Sequence, residues 1–191
     1  MKILIRGGSI AAGTGVSAGY ANILAERCRL AGVEVINRSA PNDTSFDGVR
    51  SFREDVVPEK PEILILHFGV DDAYLAVYRS EFKENLVQMV RLARISFDPV
   101  TILLTSHPFE DPYDRDVMDI YYRVIQEVSC ELSCEMVPVH TYWQGHIADR
   151  GCRHRDLVQG DVRYPNETGH AVFAEAIMPT LMRIIGQSAG C

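Results

Sequence analysis

The chain has 191 residues, with 19 Lys and Arg against 26 Asp and Glu, a formal charge of −7 with His neutral, and is 47% hydrophobic and 24% charged. This excludes a disordered or fibrous chain and fits one soluble domain over residues 1–191, whose core needs neither metal nor disulfides to hold it. The acidic balance, without a dense Lys/Arg cluster, argues against nucleic acid and anionic membranes as partners, and the longest apolar runs, such as 63–66, are far too short for a bilayer.

In chain order, apolar or alternating runs predict strands over 2–6, 34–37, 62–68, 100–105 and 135–139. Helix-period segments over 17–31, 46–57, 80–96, 115–132 and 168–185 separate or follow them. Apolar strands alternating with amphipathic helices predict a three-layer α/β/α sandwich around a five-stranded parallel sheet joined by right-handed crossovers. Residues 140–163 are the longest stretch without clear periodicity and read as a loop, of a length that is often functional. The five cysteines, Cys28, Cys130, Cys134, Cys152 and Cys191, are odd in number and lack zinc-ribbon spacing. They fit a reducing, cytoplasmic setting. Cys130 and Cys134 stand one helical turn apart, with Cys152 and His154 beyond, and packing explains them better than metal binding. No metal and no cofactor are expected.

In such sheets ligands bind beyond the carboxyl ends of the strands, so the strand-exit loops carry the functional search. The first reads Gly7-Gly8-Ser9-Ile10 and continues through Gly13 and Gly15. Small residues there allow a sharp turn that leaves a hydroxyl and free N–H groups at a helix entrance. A phosphate-binding loop requires a Lys, and none occurs between Lys2 and Lys60. A dinucleotide fingerprint fails too: Gly13-Thr14-Gly15 has only Ala18 at the third glycine position, and Gly7-Gly8-Ser9 already occupies the turn. A plain turn with a serine N-cap is the structural alternative.

Three further blocks follow: Asn37-Arg38-Ser39-Ala40-Pro41-Asn42-Asp43-Thr44, then Gly69-Val70-Asp71-Asp72, then Asp161-Val162-Arg163-Tyr164-Pro165-Asn166 with Gly169-His170. Together with Gly7-Gly8-Ser9-Ile10, and in this order, they resemble the SGNH (GDSL-type) hydrolase family over nearly the whole chain. The resemblance implies a flavodoxin-like sandwich and an esterase, lipase-like or other acyl-hydrolase activity, including deacetylation of carbohydrates. Its implied substrate is a small-molecule ester or an acylated carbohydrate.

By that resemblance Ser9 takes the nucleophile's position, with Gly8 where the family has Asp. Asn42 takes the position of a glycine whose N–H donates to the oxyanion. Asp71 takes the position of an asparagine whose amide is a further donor, and Asp72 has a structural precedent. Asp161 matches the residue that orients the catalytic base, while Tyr164 replaces that base, a histidine. The catalytic candidates are therefore Ser9, Asp161 and Tyr164, and the substrate-binding candidates Gly8, Asn42 and Asp71.

These departures alter the chemistry. A serine hydroxyl needs a neighbour that accepts its proton, which imidazole does well near neutral pH. A phenol is mostly protonated there, and a carboxylate beside it favours the protonated form, so Tyr164 O–H is expected to donate to Asp161. An ionised Asp71 offers only acceptors where a transition state needs a donor, unless it stays protonated or the Asn42 amide substitutes. Among His67, His107, His140 and His170, His107 is the best candidate for a replacement base. His170 reads as packing or capping. Arg38 and Arg163 are candidates to flank the crevice, and Tyr142 and Trp143 to stack on a sugar ring at its mouth. Two readings follow: a serine hydrolase with a rearranged base, or a possible pseudoenzyme that binds a small acyl or carbohydrate ligand or acts as a scaffold.

Overall fold

A computed structural model describes residues 1–188. Five parallel strands, β1 (Lys2–Gly7), β2 (Glu34–Asn37), β3 (Ile63–His67), β4 (Val100–Leu104) and β5 (Glu135–Val137), lie in the order β2-β1-β3-β4-β5. The register sets Ile3 beside Ile63 and Gly7 beside His67, so β1 and β3 end level. Ile3, Leu4, Ile5, Ile63, Leu64 and Ile65 are wholly buried, as expected of central strands covered on both faces.

The helices are α1 (Ser9–Ala12), α2 (Tyr20–Arg29), α3 (Ser45–Asp55), α4 (Val70–Tyr74), α5 (Arg79–Ser96), α6 (Pro112–Glu131), α7 (Val139–Arg150) and α8 (Glu167–Ser188). In one layer α5 packs against α3 and α6; in the other α8 packs against α2 and α7. The chain runs outward from β1 to β2 and then back across β3, β4 and β5. With right-handed crossovers that reversal puts the two helix groups on opposite faces and opens a crevice between the ends of β1 and β3. The expected three-layer α/β/α arrangement is the one observed.

The main correction concerns residues 140–163, which are not a long loop. Val139–Arg150 form α7, hidden from a periodicity reading because only Val139 and Trp143 among its residues are buried. Cys130 ends up within α6 while Cys134 lies past its end, so the two do not share a helical turn. Cys28, Cys130, Cys134 and Cys152 are free thiols, and Cys191 lies outside the described residues. Among the described residues no helix is long and apolar enough to cross a membrane, and no group of three or more His, Cys, Asp or Glu is arranged to hold a metal.

Candidate functional site

Ser9 opens α1 immediately after β1, its position fixed by the Gly8 turn and by the left-handed Gly13 (φ 77°) that ends the helix. The side chain is fully buried. Its Oγ–H donates to Asp71 Oδ1 at 2.7 Å and its backbone N–H donates to Asp71 Oδ2, also at 2.7 Å. Asn42 N–H donates to Ser9 Oγ at 2.8 Å. Asn42 holds φ 63°, the left-handed conformation that Asn tolerates better than most residues.

The Asp71 carboxylate thus caps Ser9 from two sides. Burial pushes its pKa up, while the hydrogen bonds from Ser9 and the nearby Arg163 guanidinium pull it down. As bonded, both carboxylate oxygens accept, which is the ionised arrangement. Gly8 makes the cap possible: a Cβ there would lie 2.1 Å from Asp71 Oδ2 and 2.4 Å from the Asp43 carbonyl oxygen. The departures at Gly8 and Asp71 are therefore one change, since the carboxylate takes the space a side chain at position 8 would fill.

Asp72 performs a different task. Its Oδ1 accepts Ser45 N–H at 2.9 Å and Ser45 Oγ–H at 2.5 Å, and its Oδ2 accepts Gly69 N–H at 3.0 Å. This clamp ties the entrance of α4 to that of α3. Burial raises its pKa to about 6 against these donors.

The loop before α8 does not carry the expected phenol–carboxylate pair. Asp161 is held by Arg163, whose Nε donates to Asp161 Oδ1 at 2.9 Å and whose Nη2 donates to Oδ2 at 2.5 Å. Those bonds keep the Asp161 carboxyl below its usual range. The Arg163 guanidinium also lies over the rings of Tyr74 (5.0 Å) and Tyr164 (5.3 Å). Tyr164 is half-buried with its backbone bonded to Asp161 and Gln159, and among the described residues no hydrogen bond joins its hydroxyl to Asp161 or Ser9. Arg163, only two residues beyond Asp161, outcompetes the phenol because a guanidinium matches a carboxylate bidentately.

His107 has no free proton-accepting nitrogen. It is fully buried, with Nδ1 3.0 Å from Ser106 Oγ and Nε2 3.0 Å from the Val162 carbonyl oxygen. The carbonyl can only accept, so the proton sits on Nε2 and Nδ1 accepts from the serine. Burial pushes its pKa down to about 3. His107 therefore anchors the 161–164 loop as a neutral ring. His67 and His170 are likewise buried, at about 3 and about 4, against Tyr20 and Phe173. Trp143 lies wholly inside, donating its indole N–H to His154 Nδ1 at 3.2 Å, so it is no sugar platform at the mouth. Arg38 pairs with Glu59 at 2.5 Å rather than flanking the crevice.

Around this centre the strand-exit segments expose apolar side chains. Phe46 and Leu75 line one cavity, Tyr74 and Tyr113 another. Val162 is 48% exposed beside Arg163. Glu81 and Glu84 share the first cavity and Asp114 the second, and the Arg163 guanidinium lies beside Tyr74.

The same assembly of blocks relates the chain to known proteins. Esterase TesA of Pseudomonas aeruginosa is 24% identical over 187 residues, which cover 96% of this chain and 89% of that protein. Among solved structures, the acetylxylan esterase Axe2 of Geobacillus stearothermophilus superposes with a TM-score of 0.80 at 23% identity, covering 97% of this chain and 94% of its own. LAE5, an α/β hydrolase enzyme from the metagenome of Lake Arreo, gives 0.80 at 22% identity with 93% of each chain covered. The catalytic mutants of Axe2 alter a serine, an aspartate and a histidine. With residues 6–172 matching the family profile, the fold and the four blocks have a common explanation: the chain belongs to the GDSL-like lipase/acylhydrolase family of esterase-like hydrolases.

Proposed function

We propose that this chain is a non-hydrolytic member of its family, in which the Ser9 centre does not turn over esters and the crevice rim binds a small acyl or acylated-carbohydrate ligand. The single observation carrying this reading is the Asp71 cap, which accepts both the N–H and the O–H of Ser9 at 2.7 Å. In acyl transfer the developing oxyanion needs donors at that N–H. Here a carboxylate already occupies it, and a second negative charge would be repelled.

Proton removal is unsupported as well. Tyr164 is a phenol without a hydrogen bond to Ser9, Asp161 is committed to Arg163, and His107 is enclosed as a neutral ring. The apolar rim residues Phe46, Tyr74, Leu75 and Tyr113 support an acyl-bearing ligand, and Arg163 supports a carbonyl or hydroxyl acceptor on it. The relatives named for esterase activity support the same ligand class. A single domain over residues 1–191 and a reducing, cytoplasmic setting, supported by four free thiols among the described residues, belong to this reading.

One observation favours the hydrolase alternative: Ser9 O–H already donates to a carboxylate whose pKa is raised by burial, a primitive serine–acid pair. Turnover of p-nitrophenyl acetate separates the two. The proposal expects parent and Ser9→Ala to be equally slow, while saturable binding of acetylated sugars shifts Tyr74 and Val162 resonances. Turnover lost in Ser9→Ala establishes the alternative.

A further inference from the structure

A further cavity, of about 550 Å³, opens between α6 and α7 beyond the ends of β4 and β5, a size within the range of small-molecule sites. None of Ser9, Asn42, Asp71, Asp161 and Tyr164 lines it.

Two imidazoles present donors to it. His140 Nδ1 lies 2.8 Å from Thr105 Oγ1, and that oxygen also accepts His140 N–H at 3.4 Å. With the threonine hydroxyl donating its one proton to Nδ1, the ring proton resides on Nε2. His154 Nδ1 accepts the Trp143 indole N–H, which can only donate, so its proton also resides on Nε2. No hydrogen bond within the described residues uses either Nε2. Burial lowers the pKa of both rings, so each offers a neutral N–H donor.

Acceptors share the same lining. The Glu110 and Asp119 carboxylates and the Gln144 amide share the lining with Arg115. Formal charge on the lining is −1, from two carboxylates against one guanidinium, which opposes a phosphate or carboxylate ligand. The rings are fixed: Tyr122 stacks on His140 at 4.8 Å, and His154 stacks on His107 at 5.7 Å. Neutral N–H donors, planar acceptors and flat aromatic faces, held rigid in one cavity, match a ligand whose hydroxyls both donate and accept and whose C–H face is apolar.

We propose that the α6–α7 cavity is a saccharide-binding site for a neutral, polyhydroxylated ring, distinct from the Ser9 centre and independent of whether that centre turns over esters. It assigns His140 and His154 as donors and Asp119 and Gln144 as acceptors to sugar hydroxyls.

The test is titration of the full chain with methyl glucoside, cellobiose, maltose and N-acetylglucosamine, with inorganic phosphate as the charged comparison. Emission of Trp143, the only tryptophan, and the imidazole NMR resonances are the readouts. At least one saccharide is expected to shift His140, His154 and Trp143 saturably, with affinity weakened about tenfold in Gln144→Ala, the loss of one neutral hydrogen bond, and at least as much in Asp119→Ala, the loss of one to a carboxylate. Both substituted residues are exposed, so the fold is retained. The proposal is overturned if no saccharide saturates, if phosphate alone does, or if both variants bind as the parent. Shifts at Tyr74 and Val162 without His140 and His154 would support the rim reading while overturning this one.

Discussion

Replacing Asp71 by Asn and Tyr164 by His in the same chain should create an ester hydrolase where neither change alone does. In the parent, Asp71 sits 2.7 Å from both Ser9 N–H and Ser9 Oγ. Asparagine removes the like charge and turns one acceptor into a donor, a change worth ~10²–10³ in rate by the cost of deleting such a donor elsewhere. Histidine at 164 supplies a general base, worth ~10²–10⁴. Groups that act as a unit give little separately, so each single variant should stay within ~10-fold of the parent and the double should exceed it by ~10³-fold or more. Arg163 does not prevent this. Its pair with Asp161 is substantially exposed and contributes at most ~1 kcal/mol, less than the ~1.5–3 kcal/mol of a hydrogen bond to a charged imidazolium. The assay is kcat/KM on p-nitrophenyl acetate, with Ser9→Ala added to the double variant as control. A folded double variant no faster than the parent, or a single variant matching it, refutes the reasoning.

Other expectations follow from the same geometry. Gly8→Ala drives a methyl into Asp71 Oδ2 and the Asp43 carbonyl and should cost ~1–3 kcal/mol in urea unfolding; part of that loss should vanish in an Asp71→Ala background, and strict additivity would contradict the coupling. Acid should destabilise the fold. The pKa values of His67, His107 and His170 are depressed to about 3, 3 and 4, so their stability contribution is present above the unfolded value near 6.5 and lost as pH falls towards the folded values. Each gives a slope of up to ~1.4 kcal/mol per pH unit. Asp72, raised to about 6, acts in the opposite sense, its contribution fully present below ~3.9 and lost as pH rises through about 6. Three rings outweigh it, and stability flat between pH 7 and 4.5 would refute the buried neutral histidines. Asp43→Ala, which strips the buried Arg6 guanidinium of its 2.6 Å partner, should lower stability by ~3–5 kcal/mol; a loss below ~1 kcal/mol would show that Asp55 and Ser51 suffice.

Much of the architecture was legible because each central strand is a dense apolar run and each flanking helix has an apolar stripe; 63–66 and the buried Phe82, Leu86, Val90 and Ala93 of α5 illustrate both. The α7 helix escaped because two buried residues do not make a stripe. At the site, Ser9, Asn42 and Asp71, drawn from three separate blocks, meet at one sheet edge, with Asn42 in the left-handed region. What stayed hidden was tertiary. The Ser9–Asp71 contact for which Gly8 makes room joins segments 62 residues apart, and nothing local distinguishes a glycine that frees a turn from one that makes room for a distant carboxylate. His107 follows β4 in the chain, yet Phe109, Trp143, His154 and Phe173 enclose its ring, contacts that no local pattern reveals. Asp161 pairs with Arg163, which folds back onto it, rather than with Tyr164.

The proposed non-hydrolytic function requires that Asp71 hold Ser9 as a hydrogen-bonded structural hydroxyl rather than as a nucleophile. Incubation of the parent protein with a fluorophosphonate probe, followed by intact-mass and peptide analysis, tests it most directly. No adduct on Ser9 at neutral pH is the predicted result. A stoichiometric Ser9 adduct, absent from Ser9→Ala, would contradict it.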